Sequence, residues 1–141
     1  MRRTSRGFSF VEILLVVAII GVIAAIAIPG LLGQKTNADL VADAQQNSKS
    51  LQMMLEARKA DTGLYGTAGT VYTWTPQADG TMVASDATLA PLFGAKRSSH
   101  MTYTLTIGGN GLTYVLQVDD NRPGKAGKIF VTDQTGQQTY P

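Results

Sequence analysis

Cysteine is absent from this chain of 141 residues, and charged residues are scarce. The absence of cysteine excludes disulfide bonds, thiolate metal sites and cysteine nucleophiles. Charged residues make up 16% of the sequence and hydrophobic residues 44%, whereas an ordinary soluble domain has roughly 25% charged residues. The length is that of one domain, which excludes a second, independent catalytic domain. Either the apolar side chains are therefore concentrated in one part of the chain, or the surface carries few charges, or both.

The basic charge lies mainly at the N-terminus. The formal net charge is +2, but three arginines stand within the first six residues, namely Arg2, Arg3 and Arg6. Beyond them the chain is close to neutral, so its net charge is no argument for a nucleic-acid partner.

An apolar segment of membrane-spanning length follows the arginines. Glu12 is the only ionisable residue between Arg6 and Lys35. As an α-helix, the segment from Ile13 to Leu32 would rise about 30 Å, which is about the thickness of the hydrocarbon core of a bilayer. Because the arginines precede this segment, the positive-inside rule predicts a single pass with the N-terminus in the cytoplasm and the rest of the chain outside.

Two simpler interpretations of this segment fit less well. A secretory signal peptide has an apolar region of about 7 to 15 residues and an Ala-x-Ala-like cleavage site, whereas this longer run ends in Pro29 and Gly30. A plain signal anchor leaves Glu12 unexplained, because a carboxylate inside a spanning helix costs about 2.5 to 3.5 kcal/mol on insertion scales. Glu12 is therefore predicted to be functional.

The string from Gly7 to Gly21, GFSFVEILLVVAIIG, resembles the prepilin signal of type IV pilins and type II secretion pseudopilins, and the resemblance covers residues 6–30. In that family a membrane peptidase cuts after the glycine and methylates the new terminal residue. The resemblance thus implies cleavage between Gly7 and Phe8 and N-methylation of Phe8. It also implies that Phe8, Ser9 and Glu12 act in subunit assembly, with Glu12 pairing with the Phe8 ammonium of a neighbouring subunit. Ser9 departs from the family, which more often has threonine there.

The chemistry at the helix start agrees with this resemblance. Cleavage would remove the arginines and create an ammonium four residues before Glu12, in a region where an unpaired carboxylate is costly and a paired one is less so. The alternative is that Glu12 is stabilised only by the positive end of its own helix.

The apolar segment also contains residues that disturb a helix. Pro29 has no N–H to donate to the carbonyl of Ala25, and Gly21, Gly30 and Gly33 lie nearby. We predict a helix bend at Gly21, Pro29 and Gly30, or a locally unwound stretch in packed filaments. A gentle proline kink is the alternative.

An amphipathic pattern follows the apolar segment. Apolar or small residues recur at spacings of three and four: Val41, Ala44, Ser48, Leu51 and Leu55. This spacing predicts that the helix continues and lays one stripe on a globular head, with Gly63 as its C-cap. We therefore divide the chain into a leader (1–7), a hydrophobic transmembrane and assembly helix (8–33), an amphipathic half of the same helix (34–61) and a head (62–141).

The head is predicted to carry a small antiparallel sheet. Residues 63–97 are interpreted as a connecting loop with at most one short strand or helical turn, and strands are predicted at 101–107, 112–118 and 128–132. The segment from Gly108 to Gly111 would form the first hairpin. Four alternating residues of the first strand are expected to cover the helix: Met101, Tyr103, Leu105 and Ile107. The prediction is an α+β fold with three or four strands, and the resemblance implies the same type IV pilin-like architecture.

The head offers little material for catalysis or for metal binding. His100 is the only histidine, no G-x-S-x-G string occurs, and zinc sites need several His or Cys ligands. Asp119, Asp120 and Asn121 could offer oxygen ligands to calcium, but an EF-hand loop does not continue from them, so an ordinary turn is preferred. We expect no enzyme activity, no metal and no cofactor.

A small basic group lies in the last loop, at Arg122, Lys125 and Lys128. Such cations would attract phosphate modestly and in a salt-dependent way. Solvated charges, or contacts with acidic residues of adjacent subunits, are the preferred interpretation. Nucleic acid is therefore the least supported partner.

The resemblance implies a structural subunit of a type IV pilus, a fimbrial filament used in cell adhesion, twitching motility or DNA uptake. The expected location is the inner membrane before assembly and the extracellular filament afterwards. The expected partners are copies of the chain, a prepilin peptidase, and an inner-membrane assembly platform with a cytoplasmic ATPase motor. The alternatives are a type II secretion pseudopilin, a minor pilin, or a membrane-anchored binding module.

Overall fold

The computed structural model describes residues 7–77, 81–86, 88–89, 93–94 and 100–140. Within them lie one helix and six strands: α1 (Phe10–Thr62), β1 (Val71–Pro76), β2 (Met82–Ala84), β3 (Met101–Ile107), β4 (Tyr114–Asp120), β5 (Gly127–Asp133) and β6 (Gln138–Thr139). The chain forms two compact units, Met1–Asp39 and Leu40–Pro141. The predicted α+β class, with one long N-terminal helix and a small antiparallel sheet, is confirmed.

The described part of the first unit is the apolar portion of α1 and the residues just before it. Every large apolar side chain from Phe8 to Leu32 is at least half exposed, and the helix is long and apolar enough to cross a membrane. α1 continues through Pro29 without interruption, so the chain by itself has no unwound stretch there. The predicted helix bend, and the unwound stretch in packed filaments, stay predictions. A Cβ added at Gly21, Gly30 or Gly33 would meet nothing within 4 Å, so contacts within the chain do not require these glycines.

The second unit holds a sheet with more strands than predicted. Its order is β2-β1-β3-β4-β5-β6, and all neighbouring strands are antiparallel. Residues 63–97 were predicted to be a connecting loop with at most one short strand or helical turn, and this was wrong by one strand, because both β1 and β2 lie within them. β1 is stabilised by non-local pairing with β3, in which Tyr72 lies opposite Leu105 and Trp74 opposite Tyr103. A local sequence pattern does not reveal such pairing.

The end of the sheet also differs from the prediction. β6 was not predicted; it has two residues and pairs with β5. β4 begins two residues later than expected, because the carbonyl of Thr113 accepts a hydrogen bond from the N–H of Gly108 and so belongs to the hairpin. The hairpin itself lies where it was predicted.

The core of the head lies between α1 and one face of the sheet. The buried side chains of α1 are Leu40, Ala44, Asn47, Ser48, Leu51 and Leu55. The predicted face of β3 is confirmed, since its four alternating side chains are at most 1% exposed. The predicted helix stripe was wrong at Val41, which is only half-buried, and it omitted Asn47. Asn47 is buried because its Nδ2 donates a hydrogen bond to the hydroxyl of Tyr103 at 2.8 Å.

Both ends of the head are held without a disulfide. Gly63 has a φ of +80° and its N–H donates to the carbonyl of Lys59 at 2.8 Å, so it is the predicted left-handed C-cap of α1. At the other end, Gln45 donates to Gln138 and to the hydroxyl of Tyr140, and that hydroxyl donates to Gln138 Oε1 at 2.7 Å. These contacts attach the C-terminal strand to the helix.

Candidate assembly site at the helix start

The predicted assembly residues lie at the point where α1 begins. Gly7, Phe8 and Ser9 are not helical, and α1 starts at Phe10. The N–H of Ser9 donates to Glu12 Oε2 at 2.9 Å, and the carbonyl of Ser9 accepts from the N–H groups of Glu12 (3.0 Å) and Ile13 (3.3 Å). Ser9 is therefore the N-cap residue of the helix, with Glu12 in its first turn.

This arrangement is one half of a capping box. In a full capping box the N-cap side chain binds the N–H of the third helical residue, while the side chain of that residue binds the N-cap N–H. Only the second bond is made here. The predicted role of Glu12 was to pair with a neighbouring subunit, and the hydrogen bond to Ser9 of its own chain was not predicted. The spacing Ser-x-x-Glu was a sequence signal for this bond.

The surroundings of this site are apolar and exposed. Phe8 is 84% exposed and Phe10 78%. A contiguous apolar surface of this extent marks a contact with a membrane or with another protein. Ser9 and Glu12 are brought together, and Gly7 and Phe8 precede them in exposed, non-helical backbone. Cleavage after Gly7 and methylation of Phe8 stay predictions.

The acidic residues of the last loop are bound within the head. Arg122 donates to both carboxylate oxygens of Asp120, at 2.6 to 3.0 Å, and its N–H donates to Asp120 Oδ1 as well. Burial raises the pKa of Asp120, but the hydrogen bonds and charge of Arg122 outweigh it, so the pKa lies below its ordinary value. Asp119 accepts from Gln117 at 2.9 Å. Arg122 therefore already supplies a cation to the carboxylate that was considered for calcium, and the basic group of the loop is partly neutralised.

The head also contains an exposed histidine and buried tyrosines with raised pKa values. His100 is exposed, and its backbone carbonyl accepts a hydrogen bond from Asn121 at 2.8 Å. Burial raises the pKa of both Tyr103 and Tyr114 to about 12, so both phenols are neutral near pH 7. The part of the chain that the structure describes contains no group of three or more His, Asp or Glu that could hold a metal ion.

An open groove of about 360 Å³ lies between α1 and the turn after β5. Its lining includes Lys49, Met53 and Glu56 from the helix and Tyr114 and Gln134 from the sheet side. The groove mixes one positive charge, one negative charge and an exposed methionine.

A long N-terminal helix with an apolar first half, followed by a small antiparallel sheet, is the arrangement expected of a pilin-like protein. Residues 2–28 match the family model described as the prokaryotic N-terminal methylation motif. The match includes every predicted processing and assembly residue, from Gly7 to Glu12.

The chain is similar to three curated proteins named type II secretion system core protein G. The identity is 37% over 67 residues to the protein of Dickeya chrysanthemi, covering 48% of this chain and 43% of that protein. It is 35% over 69 residues to the protein of Klebsiella michiganensis, covering 47% and 46%, and 38% over 60 residues to that of Pectobacterium carotovorum, covering 43% and 38%. The chain spans less than half the length of these relatives. No solved structure matches it.

The motif and the relatives together support the type IV pilin and pseudopilin family for this chain. Within that family, the relatives favour the pseudopilin over the pilus subunit. Adhesion and twitching motility receive no support from either comparison.

Proposed function

We propose that this protein is a pseudopilin, a structural subunit of a short periplasmic filament of a type II secretion system. The observation that carries the proposal is the methylation motif at the start of an exposed apolar helix, in a chain whose relatives are type II secretion system core proteins. The main expectation from sequence was a surface pilus subunit, and the alternative becomes the better supported function.

The proposed sequence of events uses the residues at the helix start. The precursor is anchored in the inner membrane by α1 and cut between Gly7 and Phe8, and Phe8 is then N-methylated. The new ammonium of one subunit pairs with Glu12 of a neighbour, which sets the axial register of the helices because opposite charges attract strongly where water is excluded. The protein acts by polymerising and has no catalytic activity of its own.

An external source of work is part of this proposal. Lipid is about as apolar as a bundle of Leu and Ile side chains, so transfer of α1 from the bilayer to a filament core gains little hydrophobic free energy. The chain contains no G-x-x-x-x-G-K-[ST] phosphate-binding string. We therefore propose as partners other copies of the chain, a prepilin peptidase, and an inner-membrane platform driven by a cytoplasmic ATPase.

The test is N-terminal sequencing and intact mass of the native protein, from sheared surface material and from washed inner membrane, with protein secretion measured in a deletion strain. Protein that begins at methylated Phe8 in the membrane fraction only, with secretion lost on deletion, supports a pseudopilin. Abundant processed protein in the sheared fraction, with secretion intact, would establish a surface pilin instead. A chain that still begins at Met1 would leave only a membrane anchor.

A matched pair of leader variants tests the cleavage position. Gly7→Asp should leave an uncut precursor, because a charged side chain then occupies the position next to the scissile bond. Thr4→Asp adds the same charge to the leader three residues earlier and should be cut normally. Normal maturation of the Gly7 variant, seen by mass, would contradict the assignment.

A further inference from the structure

We propose that Ser9 is a positioning residue for Glu12, and that it acts through its backbone N–H rather than through its hydroxyl. The N–H of Ser9 holds Oε2 of Glu12 at 2.9 Å, which leaves Oε1 to receive the ammonium of the neighbouring subunit. This inference rests on the proposed assembly function. It adds that the Glu12 side chain is oriented by its own chain before a neighbouring subunit binds.

The geometry of the helix start supports a fixed carboxylate. A carboxylate has two oxygens with about four acceptor positions, so one N–H donor does not saturate it. A glutamate side chain has three rotatable bonds and loses conformational freedom when it is ordered. A glutamate that is already ordered by its own helix loses less conformational entropy when it binds a partner. This preorganisation favours association.

The same hydrogen bond is available before and after processing. The N–H of Ser9 belongs to the peptide bond between Phe8 and Ser9, whereas the predicted cut lies between Gly7 and Phe8. Cleavage and methylation therefore leave this donor in place. The carboxylate is held in the membrane-anchored precursor and still held in the subunit that assembles.

The apolar surroundings favour retention of this bond. Phe8, Phe10 and Val11 around it are 84%, 78% and 70% exposed, so lipid or neighbouring helices would surround the pair. An amide N–H without a partner is costly in such surroundings, and so is a carboxylate without a donor. The bond from Ser9 to Glu12 satisfies the N–H of Ser9 and one oxygen of Glu12 before any second subunit arrives, and Oε1 stays available for the ammonium.

The hydroxyl of Ser9 is the competing explanation, because serine is a common N-cap residue through its side chain. In the part of the chain that the structure describes, this hydroxyl makes no hydrogen bond, and the N–H of Glu12 binds the carbonyl of Ser9 instead. The backbone donor is therefore the positioning group. A threonine at this position would keep the same N–H, which makes the departure from the family at Ser9 harmless.

The first test measures the bond directly in the full chain in detergent micelles, by hydrogen exchange of the serine-labelled Ser9 amide. Glu12→Gln keeps an acceptor oxygen and should protect this amide as the native residue does. Glu12→Leu has no acceptor and should raise the exchange rate at least about tenfold, equivalent to about 1.4 kcal/mol. Equal exchange rates in the native chain and the leucine variant would overturn the inference.

The second test separates the N–H of Ser9 from its hydroxyl during assembly. Ser9→Ala removes the hydroxyl and keeps the N–H, whereas Ser9→Pro removes both. Proline tolerates the non-helical conformation of the preceding Phe8. The measured quantity is the ratio of cross-linked oligomer to processed monomer, because this ratio corrects for any reduction in cleavage. We expect native yield with alanine and about a tenfold lower yield with proline, and equal yields for the two variants would refute the role of the N–H.

The two proposals fail in different ways. If Glu12→Leu assembles at native yield, the proposed assembly function itself is wrong. If Glu12→Leu blocks assembly while Ser9→Pro matches Ser9→Ala, the assembly function stands and only the positioning role is refuted. Should Ser9→Pro yield no processed protein, the exchange measurement alone decides.

Discussion

Replacement of Leu51 by alanine tests whether the second half of α1 packs on the sheet as described. Leu51 is 0% exposed and lies between Ser48 and Leu55 in the buried stripe. Met53 follows two residues later and is 67% exposed. The two positions share one helix, so Leu51→Ala and Met53→Ala differ mainly in what the side chain contacts.

The expected magnitudes are well separated. Truncation of a fully buried leucine to alanine costs about 2 to 5 kcal/mol, because transfer free energy is lost and a cavity remains. Truncation of an exposed side chain changes the free energy of unfolding by about 0.5 kcal/mol or less. Since a domain has about 5 to 15 kcal/mol of stability in total, Leu51→Ala should remove a large fraction of it. For a domain of about 100 residues, a loss of 3 kcal/mol lowers Tm by roughly 12 to 24 °C.

The fluorescence of Trp74 provides the assay. Trp74 is the only tryptophan, is 2% exposed and lies edge-on to Phe93 with ring centroids 5.6 Å apart. Unfolding of the full chain in detergent should expose it and shift its emission to longer wavelength. Similar losses of stability in both alanine variants, or a loss under about 1 kcal/mol for Leu51→Ala, would show that the helix does not pack on the sheet in this register.

Three further predictions concern the turns and charges of the head. Gly111→Ala should lower the free energy of unfolding by about 2 kcal/mol, because Gly111 has a φ of +72° and an added Cβ would approach other atoms to 3.0 Å. The control in thermal unfolding is Gly109→Ala, where an added Cβ meets nothing within 4 Å. Burial raises the pKa of Tyr103 from 10.0 to about 12, so its stabilising contribution is complete below pH 10 and about 2 to 3 kcal/mol is lost as the pH rises through 12. Tyr114, whose pKa is raised likewise, contributes in the same range, so in urea titrations a chain with Tyr103→Phe should lose about 2 to 3 kcal/mol less than the native chain. Arg122→Ala should destabilise the head by about 2 kcal/mol near pH 7, because the charged hydrogen bonds to Asp120 are lost. Because the pKa of Asp120 in the folded protein lies below its ordinary value of 3.8, that difference should persist above about pH 4 and shrink as the pH falls further, and equal destabilisation at pH 2 and pH 7 would contradict the pairing.

Much of the helix could be predicted from sequence because its signals are local. The apolar run, the spacing of Ala44, Ser48 and Leu51, and the glycine after the last turn each depend on residues within a few positions of one another. The strand at β3 was predicted for the same reason, since its alternation has a period of two. The candidate processing and assembly residues are contiguous as well, so their recognition required no fold.

The positions that sequence reasoning missed depend on contacts between distant segments. β1 and β6 are too short to be stable alone and exist because they pair with β3 and β5. Asn47 is polar and was left out of the helix stripe, yet it is buried because the hydroxyl of Tyr103, 56 positions away, accepts its hydrogen bond. A polar residue can be buried when its partner is in place, and one-dimensional patterns do not show partners.

The sequence by itself determined the membrane-length helix, the charge before it and the motif that relates the chain to pilins and pseudopilins. These properties depend on composition and short-range spacing. In a helix, the number of residues sets the length, and their spacing sets which side chains share a face. Only the tertiary structure decided the six-stranded order of the sheet, the burial of Asn47 against Tyr103 and the attachment of Gln45 to Gln138. The sheet order depends on pairing between segments that are distant in sequence, and the two polar contacts join residues 56 and 93 positions apart, which only the fold brings together.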